Sequence, residues 1–235
     1  MPAKFERRCS LCLLNEGELL PFIEQLRKDE PAIDIALIPS VGAVEILFTG
    51  EKSLDSLVEK VKNKFPTFFL GDEDLLHSLQ SAFISKKSSV ALAESCTGGA
   101  MAAKITSIPD ASKYFLGSVV AYSNEWKESF LHVSRTTLEQ KGAVSKEAVV
   151  EMVKGLLDET NADYAVAISG IAGPGGGTRE KPVGTIYVAI GKRGDKIDVG
   201  LIQAPGGRNS AIEMAVHLCL GALWRRIVHN AVTFS

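Results

Sequence analysis

The chain has 235 residues, 46% of them hydrophobic, and a formal charge of -2, so it can hold one large core or two smaller ones without metals or disulfide staples. The stretch Met1 to Asp72 carries 9 Lys and Arg against 12 Asp and Glu, and neither part of the chain is basic. This excludes a dominant electrostatic grip on nucleic acid or anionic lipid, and no nucleic-acid or membrane partner is expected.

The chain opens with MPAKFERR, followed by an apolar stretch that breaks at Asn15 and Glu16. That is too short for a secretory signal, and no apolar run approaches the roughly 20 residues that span a bilayer. A cytoplasmic location with free thiols is therefore expected. Cys9 and Cys12 form a lone C-x-x-C, and His77, His132, His217 and His229 show no ligand spacing. The pair reads as small apolar residues of a first strand, and neither a metal nor a cofactor is expected.

From Arg8 to Leu70 the apolar pattern predicts strand, helix, strand, strand, helix, strand, with alternation at Ile33, Ile35 and Leu37. This order suggests a small split αβ domain over residues 1–71. The acidic turn GDEDLL, Gly71 to Leu76, marks a boundary, and residues 72–235 form a larger unit. There a helix through Leu75, Leu79 and Phe83 precedes strands at Val90–Ala93, Gly117–Ala121, Tyr164–Ile168, Gly184–Ile190 and Ile197–Ile202. Ser145 reads as the N-cap of a helix, and a long final helix runs from about Asn209 to His229. The fold class is α/β, a three-layer α/β/α domain with a central sheet.

Three strand ends carry polar motifs. In VALAESCTGG the strand stops at Ala93 and Glu94, leaving Ser95 on the turn, where following N–H groups can meet an oxyanion. Cys96 is the rival nucleophile, but the side chain next to an exposed one usually points elsewhere. Cys96 is therefore expected with Thr97, Gly98 and Gly99 around the substrate, where the glycines permit close backbone approach. Read blandly, Ser95 and Thr97 only cap a helix. In VVAYSNEWK the strand ends at Tyr122 and a short helix carries Lys127, which on pattern alone is a solvated surface lysine. The third motif, SGIAGPGGGTREKPVGT, runs from Ser169 through Gly173 and Gly175 to Lys181, and it reads either as an anion-binding nest or as a flexible connection. Arg208, in PGGR, precedes the last helix.

Together AESCTGG, YSNEWK, GAVS, SGIAGPGGG and KPVGT resemble the C-terminal domain of CinA proteins and the stand-alone nicotinamide mononucleotide amidohydrolases, over about Asp72 to Val228. The resemblance implies hydrolysis of the nicotinamide mononucleotide carboxamide to nicotinate mononucleotide and ammonia, a step of pyridine nucleotide salvage. It implies Ser95 as nucleophile and Lys127 as base, with Tyr122, Ser169 and Arg208 around a small nucleotide substrate. Phe5 to Leu70 resembles the KH-like middle domain of full-length CinA proteins, but it has no G-x-x-G loop, so the RNA clamp is not carried over. The molybdopterin-binding-like domain that precedes it in those proteins is missing from this sequence, and its pyrophosphatase activity is expected to be absent.

None of the histidines lies in these motifs, so lysine is the available base. An unperturbed lysine is neutral in only about one molecule in 2,500 at pH 7, and the site is expected to lower its pKa by burial or by a cation such as Arg208. Turn N–H groups near Gly98 are the expected oxyanion donors, Tyr122 the group that orients Lys127, and the Gly-rich loop with Lys181 the seat of the phosphate. The competing reading is a non-catalytic nucleotide- or protein-binding module tied to competence or DNA damage. The sequence leaves homo-oligomerisation open.

Overall fold

A computed structural model of the chain describes residues 5–14 and 16–231. The other positions, which include the outer ends of both expected domains, lie outside the described residues. The chain divides into two compact units, Met1–Ser78 and Leu79–Ser235.

The smaller unit runs β1 (Phe5–Cys12), α1 (Glu16–Asp29), β2 (Asp34–Ser40), β3 (Ala43–Gly50), α2 (Asp55–Lys64) and β4 (Phe69–Gly71). Its sheet has the order β2-β3-β1-β4, with every neighbouring pair antiparallel. Strand alternation sends Cys9 and Leu11 into a core shared with Ile23, Phe48 and Val61. Cys9 and Cys12 are both fully buried, and burial pushes the Cys9 thiol up to about 12, with Asp72 and Glu45 adding to the shift. Such a thiol packs as a small apolar group. The first turn of α3 (Leu75–Ser85) is tied to this unit by the Ser78 hydroxyl, which donates to the Leu70 carbonyl.

The larger unit contains β5 (Val90–Glu94), α4 (Ala100–Thr106), β6 (Phe115–Val120), α5 (Asn124–Leu131), α6 (Arg135–Gln140), α7 (Lys146–Glu159), β7 (Tyr164–Gly170), β8 (Thr185–Lys192), β9 (Ile197–Gln203) and α8 (Arg208–His229). The sheet order is β6-β5-β7-β8-β9. The pairs β5/β6 and β5/β7 are parallel, and β7/β8/β9 is an antiparallel meander. Parallel neighbours need crossover helices, which α4 and α5 to α7 supply; the meander needs only loops.

One sheet face is lined by Ala91, Ala93, Ala165, Ala167 and Ala189, which pack with Val149, Met152 and Val153 of α7. Their neighbours along the strands, among them Leu92, Val166 and Val188, are buried on the opposite face, where α8 meets β7 and β8. The Ser145 hydroxyl caps α7 by accepting from the Ala148 N–H at 3.2 Å. On α7, Gly155 backs onto the end of α5: a Cβ there would lie 1.9 Å from the Leu131 carbonyl oxygen. Only a glycine allows α5 and α7 to approach this closely. No helix among the described residues is long and apolar enough to cross a membrane.

Candidate active site

The site is built where β5 and β6 end. The chain leaves β5 through Ser95, whose N–H still bonds Ile168 of the neighbouring strand, and turns at once, with the Gly98 N–H donating to the Ser95 carbonyl. Gly98 at φ +61° and Gly99 at φ +96° take left-handed conformations that cost a glycine little, and they let α4 start directly beyond the serine.

Ser95 is 7% exposed. Its hydroxyl oxygen lies 3.0 Å from the Lys127 Nζ, which also donates to the Ala121 carbonyl at 2.7 Å and to the Tyr122 carbonyl at 3.3 Å. Lys127 is 1% exposed, so the surface position that its pattern suggests is wrong. Helix α5, capped by Ser123, turns Lys127 and Leu131 inward and leaves Trp126 and Phe130 outside, their rings 4.8 Å apart. Burial lowers the Lys127 ammonium below the ordinary lysine value, while Cys96 pulls it the other way. Of the two causes expected for this shift, burial and a cation such as Arg208, burial is the one that acts on Lys127.

Cys96 is 5% exposed, and burial pushes its thiol up to about 11. It therefore offers almost no thiolate at neutral pH. The spacing gave no hint of the part played by Glu94, which is fully buried at the end of β5. Its Oε2 accepts from the Thr97 hydroxyl at 2.8 Å and from the Gly99 and Met101 N–H groups at 3.1 Å each. Its Oε1 accepts from the Ala102 N–H at 2.9 Å and from the Ser118 hydroxyl at 3.1 Å. The only trace of this in sequence is a carboxylate ending an otherwise apolar strand just before a T-G-G turn.

The family model described as the CinA C-terminal domain matches residues 72–227. The chain belongs to the CinA family. A CinA-like protein of Thermosipho melanesiensis is 45% identical over 164 residues, covering 68% of this chain and 41% of that protein. A CinA-like protein of Syntrophomonas wolfei is 35% identical over 222 residues, covering 90% of this chain and 53% of that protein. The chain thus spans about half the length of the curated relatives it matches, or less. Among solved structures, a CinA superfamily protein from Klebsiella pneumoniae is 35% identical with a TM-score of 0.63, covering 66% of this chain and 96% of that one.

The other motifs of this CinA domain are placed as follows. The Tyr122 side chain is exposed, and its phenol oxygen accepts from Arg208 Nη2 at 3.1 Å. It is the Tyr122 backbone carbonyl, rather than the phenol, that contacts Lys127. Arg208 also donates through Nη1 to the Gly173 carbonyl at 3.2 Å, linking the start of α8 to the Gly-rich loop. The buried Ser169 hydroxyl donates to the Ala143 carbonyl at 2.7 Å, and so engages the GAVS segment. Lys181 Nζ donates to the Lys141 and Val144 carbonyls, each at 2.7 Å. This ammonium ties the Gly-rich loop to the start of α7, and the phosphate contact that the sequence suggests would share it with these two carbonyls. Gly175 faces open space. No cluster of three or more His, Cys, Asp or Glu side chains among the described residues is arranged to hold a metal ion.

Proposed function

We propose that this chain hydrolyses the carboxamide of nicotinamide mononucleotide, with Ser95 as nucleophile and Lys127 as general base. The observation that carries the reading is the buried Lys127 amine 3.0 Å from the Ser95 hydroxyl, with its pKa lowered by desolvation. A neutral amine has two N–H donors and one lone pair. Held by the Ala121 and Tyr122 carbonyls, it spends both donors on them and turns the lone pair toward Ser95.

In that state Nζ takes the Ser95 proton as Oγ bonds to the carboxamide carbon. The tetrahedral intermediate collapses, the C–N bond breaks, and the Lys127 ammonium returns its proton to the departing NH2 group, which leaves as ammonia. Water repeats the sequence on the acyl-enzyme and releases the carboxylate product. Cys96 is set aside because its thiol, at about 11, stays protonated. Family resemblance supports the pyridine substrate class, and the buried Ser95–Lys127 pair supports the acyl-transfer chemistry.

Incubating the purified chain with nicotinamide mononucleotide and following ammonia tests the proposal. Release that disappears in Ser95→Ala is the expected result. Release that persists in Ser95→Ala with a native circular dichroism spectrum, or no release from the wild-type chain, overturns it.

A further inference from the structure

We propose that Glu94 is the positioning residue of this site, and that its five hydrogen bonds leave the N–H groups of Cys96 and Thr97 as the donors for an oxyanion formed at Ser95. The inference rests on the serine mechanism above and comes from accounting for every backbone N–H between Ser95 and Ala103. Ser95 donates to Ile168, Gly98 to Ser95, Ala100 to Thr97 and Ala103 to Gly99, all through backbone carbonyls. Gly99, Met101 and Ala102 donate to the Glu94 carboxylate. Seven of the nine groups are thus spent. Among the described residues the Cys96 N–H reaches only its own sulfur and the Thr97 N–H has no partner.

A backbone N–H inside a folded protein is rarely left over. Two in succession, directly after the residue that would carry the tetrahedral centre, form the donor pair that oxyanion stabilisation requires. The turn N–H groups near Gly98 expected from sequence narrow to these two, since those of Gly98 and Gly99 are committed. Glu94 is what keeps the arrangement in place. Its carboxylate satisfies the start of α4 and the Thr97 hydroxyl together, so the turn has no need to rotate Cys96 or Thr97 inward. The Ser118 hydroxyl anchors the same carboxylate from β6, while β6 leads into α5, the helix that carries Lys127, so nucleophile turn and base share one support. The carboxylate is saturated by its five donors and takes no part in proton transfer.

Glu94→Gln in the full chain tests this. Glutamine keeps one acceptor oxygen and turns an amide NH2 toward N–H and O–H donors, which breaks two or three of the five bonds. The expected result is a kcat roughly 10- to 100-fold lower, with KM within about a factor of two, because the donors act on the transition state and not on bound substrate. An unchanged kcat, or a loss that resides in KM, overturns the proposal. Should Glu94→Gln fail to fold by circular dichroism, Ser118→Ala decides, since it removes one anchor from outside the turn. A lower kcat at unchanged KM then supports the proposal and an unchanged kcat overturns it. Ser95→Ala is measured alongside. Turnover surviving there defeats the serine mechanism and this inference with it, whereas an inactive Ser95→Ala beside an unimpaired Glu94→Gln defeats the inference alone.

Discussion

Two segments of the larger unit follow ends of adjacent strands and look equally suited to hold an anion: the turn after β5, Ser95 to Gly99, and the loop after β7, Ile171 to Gly184. The structure equips them differently. The first buries a hydroxyl, an amine and a carboxylate within hydrogen-bonding reach of one another or of one turn. The second is largely exposed from Pro174 to Glu180, and its one well-anchored cation, Lys181, is engaged by two carbonyls. Both lysines donate to two backbone carbonyls; what sets Lys127 apart is its burial beside a serine hydroxyl.

The comparison is broken most directly at the dyad. Ser95→Ala and Lys127→Ala should each lower kcat by about a thousandfold or more, and the double variant should be little worse, because groups that act as a unit are not additive. Additive losses in steady-state kinetics would mean that the two residues work independently.

The next largest effect is on pH. Lys127 must be neutral to act, and burial depresses its pKa. Below that pKa kcat/KM should rise about tenfold per pH unit and level off below the ordinary lysine value. A kcat/KM profile with no rising limb anywhere below the ordinary lysine value would remove Lys127 as the base.

The Gly-rich loop gives a sharper contrast. Lys181→Met should lower stability by roughly 1–2 kcal/mol, the scale of two hydrogen bonds from a partly exposed charge, and it should raise KM to the same extent for nicotinamide mononucleotide and for the phosphate-free riboside. A KM increase confined to the phosphorylated substrate would return Lys181 to phosphate binding. Smaller still, Cys96→Ala should keep kcat within about threefold, since a protonated thiol contributes no nucleophile, and thermal melts should show only a minor loss from its packing. The smallest effect is expected at Gly175, where a Cβ meets open space. Gly175→Ala should change stability by no more than about 0.5 kcal/mol, as read by denaturant titration.

Much of the fold was readable because its strands are apolar runs or apolar alternations between turn residues, and β5, β7 and β9 begin where the pattern places them. The helix α6 was not, since Arg135 to Gln140 is almost wholly polar and is held by the Ser134 cap and the Glu151 carboxylate from α7. Ser95 was legible from its turn. The burial of Lys127 was not, because α5 exposes Trp126 and Phe130 and hides a lysine, the reverse of the usual amphipathic rule. Glu94, Ser169 and Lys181 were recognisable as polar residues near the site, but their partners come from segments distant in sequence or from backbone groups, which spacing does not encode.

The close approach at Gly155 extends the design of the site well beyond its motifs. A methyl group there has no room beside the Leu131 carbonyl, so any larger residue must displace the last turn of α5, the helix on which Lys127 rides. The separation of Lys127 and Ser95 is therefore adjustable from α7, a helix that carries neither residue. For anyone engineering this scaffold toward bulkier amides, position 155 is a control on catalytic spacing rather than a tolerant surface site, and libraries that randomise only the motif residues leave that control unused.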